Sequence, residues 1–285
     1  MINDFDFVQP ADVAEALKAL SSSEGAMALA GGTNVLVNMK RAPLDTSCLV
    51  DLSQVEELKT ISEESDSVRI GAGVTFSELL EWKPGGVIED LMQPMCHAFA
   101  GPLIRNLATV GGNVCDASAA ADLSPVLLAL DARIELQSLS EGTRTLALDE
   151  FFKGVRKTDL RKDELLTAIT FNKPDASERG YYYKLGKRKA DAISIVSLAM
   201  TIGMNGDKVS SARIALGAVA PVAIRAVTAE KALENAVLDE SRIAAAVAAA
   251  CEDASPIDDF RAGGDYRRRM VGVLVEKGLK AISQA

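Results

Sequence analysis

The chain holds a single histidine, His97, and four cysteines, Cys48, Cys96, Cys115 and Cys251, with no CxxC pair among them. Iron–sulfur clusters and structural zinc draw on closely spaced cysteines, so neither is expected here. A multi-histidine metal site is excluded, and a Ser-His-Asp triad would rest on His97 alone. Positive charge is not in excess either. The net charge of -9 argues against a nucleic-acid-binding surface, which needs basic patches to displace counterions from phosphates. No run approaches the roughly 18 to 20 uncharged apolar residues that span a bilayer. The opening "MINDFDFVQP" lacks the basic start and apolar core of a signal peptide, so a cytoplasmic location is expected. With so little side-chain chemistry on offer, a borrowed organic cofactor is the expected agent.

What is present reads as two packed units. At 285 residues the chain is about twice a typical domain length, and 48% hydrophobic with 25% charged residues is ordinary for a globular protein. "DVAEALKALSSSEG" has helical spacing with Gly25 just past its end. Short strands follow in "AMALA", "VLVNM", "SCLVDLS" and "SVRIGAG". Thr75 and Glu78 stand three apart before an apolar run, which predicts a capping box. "SPVLLALDARIELQS" predicts a helix with Ser124 as N-cap and Pro125 first, then a strand over 133–137. After another strand in "DELLTAITFNKPDASERG" the texture changes near residue 176. Two or three antiparallel strands and then helices are expected, a second α+β unit. The expected division is 1–175, with parts at about 1–57 and 58–175, followed by 176–285.

Two glycine pairs stand out. Gly31-Gly32 is expected between two short strands, where glycine allows positive φ and successive N–H groups can face one concavity that holds an anion. Thr33 and Asn34 add side-chain donors. The second loop repeats the chemistry in Thr109, Gly111, Gly112 and Asn113, with Ser118 and Asp122 following. Neither pair fits G-x-G-x-x-G opening a helix, so the usual dinucleotide fingerprint is absent. Either pair alone reads equally as a plain turn.

Together the motifs resemble the flavin subunit of the molybdenum hydroxylases, the group of xanthine dehydrogenase and carbon monoxide dehydrogenase. "LAGGTNVLV" is similar to that family's first FAD loop, "AGPLIRNLATVGGNVCDASAAADLSP" to its second, and "YYYKLGKRKADAISIVSLAM" to the opening of its C-terminal domain. The resemblance implies an α+β fold: a two-part FAD-binding domain of the PCMH (vanillyl-alcohol-oxidase-like) type, then a smaller domain of antiparallel sheet plus helices. It also implies that non-covalent FAD is held by Ala28, Leu29, Ala30, Gly31, Gly32, Thr33, Asn34, Val35 and Leu36, and by Thr109, Val110, Gly111, Gly112 and Asn113. Phe99, Asp122, Leu165, Lys184 and Ile193 match further cofactor contacts, Asp122 toward hydroxyls and Ile193 beside the ring. Plainer roles exist for three of these: a cap for Asp122, core for Leu165, a solvated strand for Lys184. The basic run Lys184, Lys187, Arg188, Lys189 is a candidate surface for a partner or for a nicotinamide nucleotide's phosphates. Cys96 and His97 raise a covalent flavin link, against a buried inert thiol and a local hydrogen bond.

By the same resemblance, partner chains carry the iron–sulfur clusters and the molybdenum cofactor. The chain is then the electron-transfer subunit of a heterotrimer, or of a dimer of heterotrimers, taking electrons from the clusters and passing them from flavin to NAD or another acceptor. Two other readings stand beside it. "AGGTNVLV" and "TVGG" also resemble the stand-alone UDP-N-acetylenolpyruvoylglucosamine reductase, although no setting for its serine and glutamate is found after residue 176. A flavin-free bridging scaffold is the other, opposed by intact glycine loops that carry an entropic cost.

Overall fold

The computed structural model describes residues 4–41 and 46–284. The first elements are β1 (Asp6–Val8), α1 (Val13–Ser22), β2 (Ala26–Leu29), α2 (Val35–Arg41) and β3 (Cys48–Asp51), with the strands in a parallel sheet of order β1-β3-β2. Asp12 caps α1 by accepting from the Glu15 amide at 2.8 Å. The helix buries Val13, Ala16, Leu17 and Leu20, one apolar stripe at helical spacing, against Cys48 and Val50 of β3.

α2 corrects an expectation. Its start, Val35-Leu36-Val37, was expected to be a strand, and β-branched valines favour that state. Instead Gly32 O accepts from the Leu36 amide and Asn34 O from the Asn38 amide, so the loop turns directly into a helix. Only Met39 of α2 is buried, so no sheet neighbour competes for the segment.

The next elements are β4 (Ile61–Glu63), β5 (Ser67–Gly71), α3 (Phe76–Glu81), α4 (Gly86–Ala98), α5 (Pro102–Arg105), α6 (Val110–Cys115), α7 (Leu123–Ala129), β6 (Arg133–Ser138), β7 (Gly142–Ala147), α8 (Leu148–Phe151), β8 (Phe152–Gly154), β9 (Lys157–Thr158) and β10 (Leu165–Asn172). An antiparallel sheet runs β4-β5-β10-β6-β7, with β8 and β9 a separate pair. The capping box forms as expected: Thr75 Oγ1 accepts from the Glu78 amide at 3.2 Å and Glu78 Oε2 from the Thr75 amide at 2.7 Å. Two expectations fail locally. The second glycine pair lies inside α6, and α7 begins at Leu123, which leaves Ser124 within the helix and its Oγ without a partner. Asp122 occupies the N-cap position but caps nothing, because its carboxylate is engaged elsewhere.

The last third holds β11 (Glu178–Gly186), β12 (Ser194–Asn205), β13 (Lys208–Gly217), β14 (Ile224–Arg225), α9 (Val227–Leu233), α10 (Glu240–Asp253) and α11 (Gly264–Ser283), the strands antiparallel in sequence order. The two faces of this sheet go to two cores. Leu198, Met200 and Ile202 pack with the residues of α10 and α11, whereas small Ala199 and Ala215 face the core built on the β4-β5-β10-β6-β7 sheet, which also holds Leu123, Val126, Leu127, Leu128 and Ala129 of α7. Small side chains let the fully buried α7 lie close against β12 and β13. Asp131, just past α7, accepts from Arg213 and Arg225, and Thr201 Oγ1 donates to Ala129 O at 3.2 Å. The chain is thus an α+β protein whose last sheet is fastened to the preceding domain through α7. No described helix is long and apolar enough to cross a membrane.

Candidate cofactor site

The first glycine loop leaves β2 at Leu29 and enters α2 at Val35. Gly31 cannot be anything else: a Cβ there would stand 1.7 Å from the carbonyl oxygen of Leu107. Gly32 has φ +67°, which only glycine adopts without strain. Among the described residues, no acceptor meets the N–H groups of Gly31, Gly32, Thr33, Asn34 or Val35. Five consecutive amides at the start of a helix are unspent, and such groups favour a bound anion. Ala28 and Leu29 lie in β2, Ala30 is half-buried beyond it, and Leu36 is half-exposed on α2.

The second loop is built differently. Val110 N–H donates to Val74 O, Gly111 N–H to Ala72 O, Gly112 N–H to Thr109 Oγ1 and Asn113 N–H to Thr109 O. A Cβ on Gly111 would lie 2.7 Å from that of Ala72. The amides expected to grip an anion are therefore used within the chain, and this loop is a rigid wall rather than a second set of donors. One polar atom is left over: Asn113 Oδ1 is buried without a partner. It accepts hydrogen bonds and so suits a hydroxyl rather than a phosphate. The two loops do meet, because Gly31 packs on the Leu107–Ala108 peptide just before Thr109.

Asp122, Lys184 and Ser194 form a third cluster. Lys184 Nζ donates to Asp122 Oδ2 at 2.6 Å and to Ala98 O at 2.9 Å, and Ser194 Oγ donates to Asp122 Oδ1 at 2.7 Å. Burial pushes the Asp122 carboxyl above the usual carboxylate range, against the opposing pull of Lys184 and Ser194. Ser194 carries no signal in the sequence: it opens a strand, and only the fold brings it to Asp122. The Tyr182 hydroxyl is also buried and unpartnered. A cleft of about 540 Å³ is lined by Pro94, Ala98, Tyr182, Lys184, Lys187 and Arg188, among others.

The remaining expected residues divide. Phe99 stacks on Phe76, centroids 3.8 Å apart and 13° between planes. Arg105 fixes the segment by donating to Phe99 O and Ala100 O, with Ala100 held at φ 38°. Phe76 and Arg105 were not foreseen. Ile193 is 59% exposed on the turn before β12. Leu165 buries its side chain in the core beside α1 and β3, which leaves its expected backbone contact with the cofactor open. Cys96 is fully buried and its thiol is pushed up to about 12 by burial, so it is a poor nucleophile toward a flavin. His97 is exposed on the last turn of α4.

These parts suit an FAD molecule: unspent amides for its diphosphate and an orphaned acceptor for a hydroxyl, on two loops that Gly31 lets pack backbone to backbone. Comparisons agree. Residues 3–174 match the family described as FAD binding domain in molybdopterin dehydrogenase, and residues 181–282 the CO dehydrogenase flavoprotein C-terminal domain. The xanthine dehydrogenase FAD-binding subunit of Escherichia coli O157:H7 is 31% identical, covering 96% of this chain and 95% of that subunit. The carbon monoxide dehydrogenase medium chain of Afipia carboxidovorans is 31% identical over 97% of this chain and 96% of its own. A chain of reconstituted CO dehydrogenase from Oligotropha carboxidovorans superposes with a TM-score of 0.93 at 29% identity, covering 100% of this chain and 99% of that one. End-to-end likeness of this kind does not favour the stand-alone reductase. The protein belongs to the FAD-binding, medium-chain subunits of the molybdenum dehydrogenases, an oxidoreductase family.

Proposed function

We propose that the chain is the electron-transfer subunit of a heteromeric molybdenum hydroxylase. It takes electrons from iron–sulfur clusters on one partner, fed by a molybdenum cofactor on another, and passes them to NAD or another acceptor. The observation that carries this reading is the run of five unspent amides at 31–35, wedged by Gly31 against the second glycine loop. FAD, when bound, supplies chemistry that exchanges electrons singly or as a pair. The chain's own work is to hold and orient it. The 31–35 amides take the diphosphate, Asn113 a hydroxyl, and the Phe76–Phe99 stack a wall beside the cofactor. Thr109, Val110, Gly111 and Gly112 shape the second wall, and Ile193 borders the ring. The division at about residue 175 separates the FAD-binding part from a C-terminal part that supplies Lys184 and Ile193.

The test is to isolate the native assembly, identify its companion chains, and follow reoxidation of the reduced flavin by NAD⁺, a quinone or ferredoxin. Companion chains bearing clusters and molybdenum support the reading. A flavin-loaded chain that always purifies alone overturns it.

A further inference from the structure

Phe99 and Phe76 stack with ring centroids 3.8 Å apart and 13° between planes, which leaves almost no offset between the rings. Two phenyl quadrupoles prefer an offset or edge-to-face pair to such a sandwich, so the backbone on either side imposes it. Phe76 is fixed by its own strand of contacts: its N–H donates to Ala108 O at 3.1 Å, it follows the Thr75 cap of α3, and it is wholly buried. Phe99 is the first residue past α4, so its carbonyl has no helical partner. Arg105 Nη1 supplies one, donating to Phe99 O at 2.9 Å and to Ala100 O at 2.8 Å. Ala100 stands at φ 38°, a left-handed conformation that alanine keeps only where its surroundings hold it. Phe99 is half-buried although Phe76 covers one of its faces, so its exposure lies on the side away from Phe76.

We infer that Arg105 is a positioning residue for Phe99: its guanidinium clamps two carbonyls, holds Ala100 left-handed, and so presents the uncovered side of Phe99 to a flat ring of the cofactor. That ring becomes the third member of a stack begun by Phe76. This role rests on the FAD reading above and deepens it. FAD carries two flat rings, adenine and isoalloxazine, and either offers the face that such a stack needs. A guanidinium suits the task because its N–H groups are fixed in one plane, so one rigid group holds both carbonyls. Without it the backbone at Ala100 relaxes out of the left-handed region, and Phe99 turns with the peptide that joins them. The preorganised face is then lost, while Phe76 stays tied to Ala108.

The experiment titrates the flavin-free, full-length chain with FAD, ADP and riboflavin in a calorimeter, with a urea melt on each variant. Arg105→Met removes the donors and is expected to weaken FAD about tenfold. It should weaken one of ADP and riboflavin by a similar factor and leave the other within about twofold, since only one carries the stacked ring. Loss confined to ADP puts adenine on Phe99, and loss confined to riboflavin puts isoalloxazine there; each supports the inference. Phe99→Leu is expected to show the same selective loss, with Arg105→Met adding nothing to it, because the effect runs through the missing ring. Ala100→Gly makes the left-handed turn free of strain and is expected to cut the loss caused by Arg105→Met to about threefold. If Arg105→Met does not fold, Arg105→Lys, which keeps the cation but not the planar fork, is expected to lose about threefold on the same ligand, and nothing once Phe99→Leu is present. Equal losses for ADP and riboflavin, losses that multiply with Phe99→Leu, a loss undiminished by Ala100→Gly, or unchanged FAD affinity in a folded Arg105→Met chain overturn the inference while the FAD reading stands. A correctly folded wild-type chain that takes up no FAD overturns both.

Discussion

Gly31 and Leu107 touch through their backbones: a methyl group on Gly31 would lie 1.7 Å from the Leu107 carbonyl oxygen and 2.4 Å from its carbon. The neighbour is main chain and cannot swing aside as a side-chain end would. Gly31→Ala therefore forces the two loops apart, with a cost of about 1–3 kcal/mol or more from overpacking. Because the 31–35 amides move with it, FAD affinity is expected to fall at least about tenfold. Fluorescence titration with FAD and a urea melt check both effects. A variant as stable and as tightly binding as wild type contradicts this packing.

Thr109→Ala removes the side chain that caps α6 and accepts from Gly112 N–H at 3.1 Å. The loss expected is about 1 kcal/mol of stability, with a smaller effect on FAD affinity than Gly31→Ala, since this loop's amides are already paired within the chain. Equal losses of FAD affinity would mean that the second loop binds the diphosphate directly.

Much of this architecture was legible from residue spacing. The stripe Val13, Ala16, Leu17, Leu20 announces α1, and Thr75 with Glu78 announces α3, because both signals are local. α2 was misread, since Val35-Leu36-Val37 has strand composition while its state is decided by where the Gly32 and Asn34 carbonyls point. α4 has no counterpart among the expected helices: Gly85 and Gly86 open it and Pro94 lies within it, all residues that read as breaks. At the site, the sequence marked the residues that matter but not their division of labour. Both glycine loops look alike as strings. Only the paths of Val74 and Ala72 reveal that the amides of one are spent and those of the other are not. Ser194 was illegible because its partner Asp122 lies 72 positions away.

Acid stability is expected to depend on Arg144. Its guanidinium donates to Glu164 Oε1 at 2.6 Å and Oε2 at 2.7 Å, and to Asp159 Oδ2 at 2.8 Å. Burial raises the Glu164 carboxyl, but hydrogen bonds from Arg144 and the Arg161 amide outweigh it and hold the group below the usual range. Arg144 likewise holds Asp159 low. A carboxyl depressed in the folded state stabilises above its unfolded value, about 4.3 for Glu, and loses that contribution as pH falls through the folded value. Glu164→Gln should therefore be less stable than wild type near pH 7 and show a flatter decline on acidification. Parallel urea melts from pH 7 to 3 check it, and identical slopes contradict it.

FAD should come free on denaturation. Cys96 is sealed and its thiol sits at about 12, so acid precipitation is expected to leave all the flavin in the supernatant. Yellow colour retained in a washed pellet would demonstrate a covalent link and contradict the assignment.

The central claim is that the unspent amides at 31–35 hold the cofactor by its diphosphate. Calorimetric titration of the flavin-free, full-length chain with FAD and with riboflavin, which has the same ring and no phosphate, tests it most directly. Preference for FAD by about a hundredfold or more, with ADP competing, is the expected result. Riboflavin binding as tightly as FAD would contradict it.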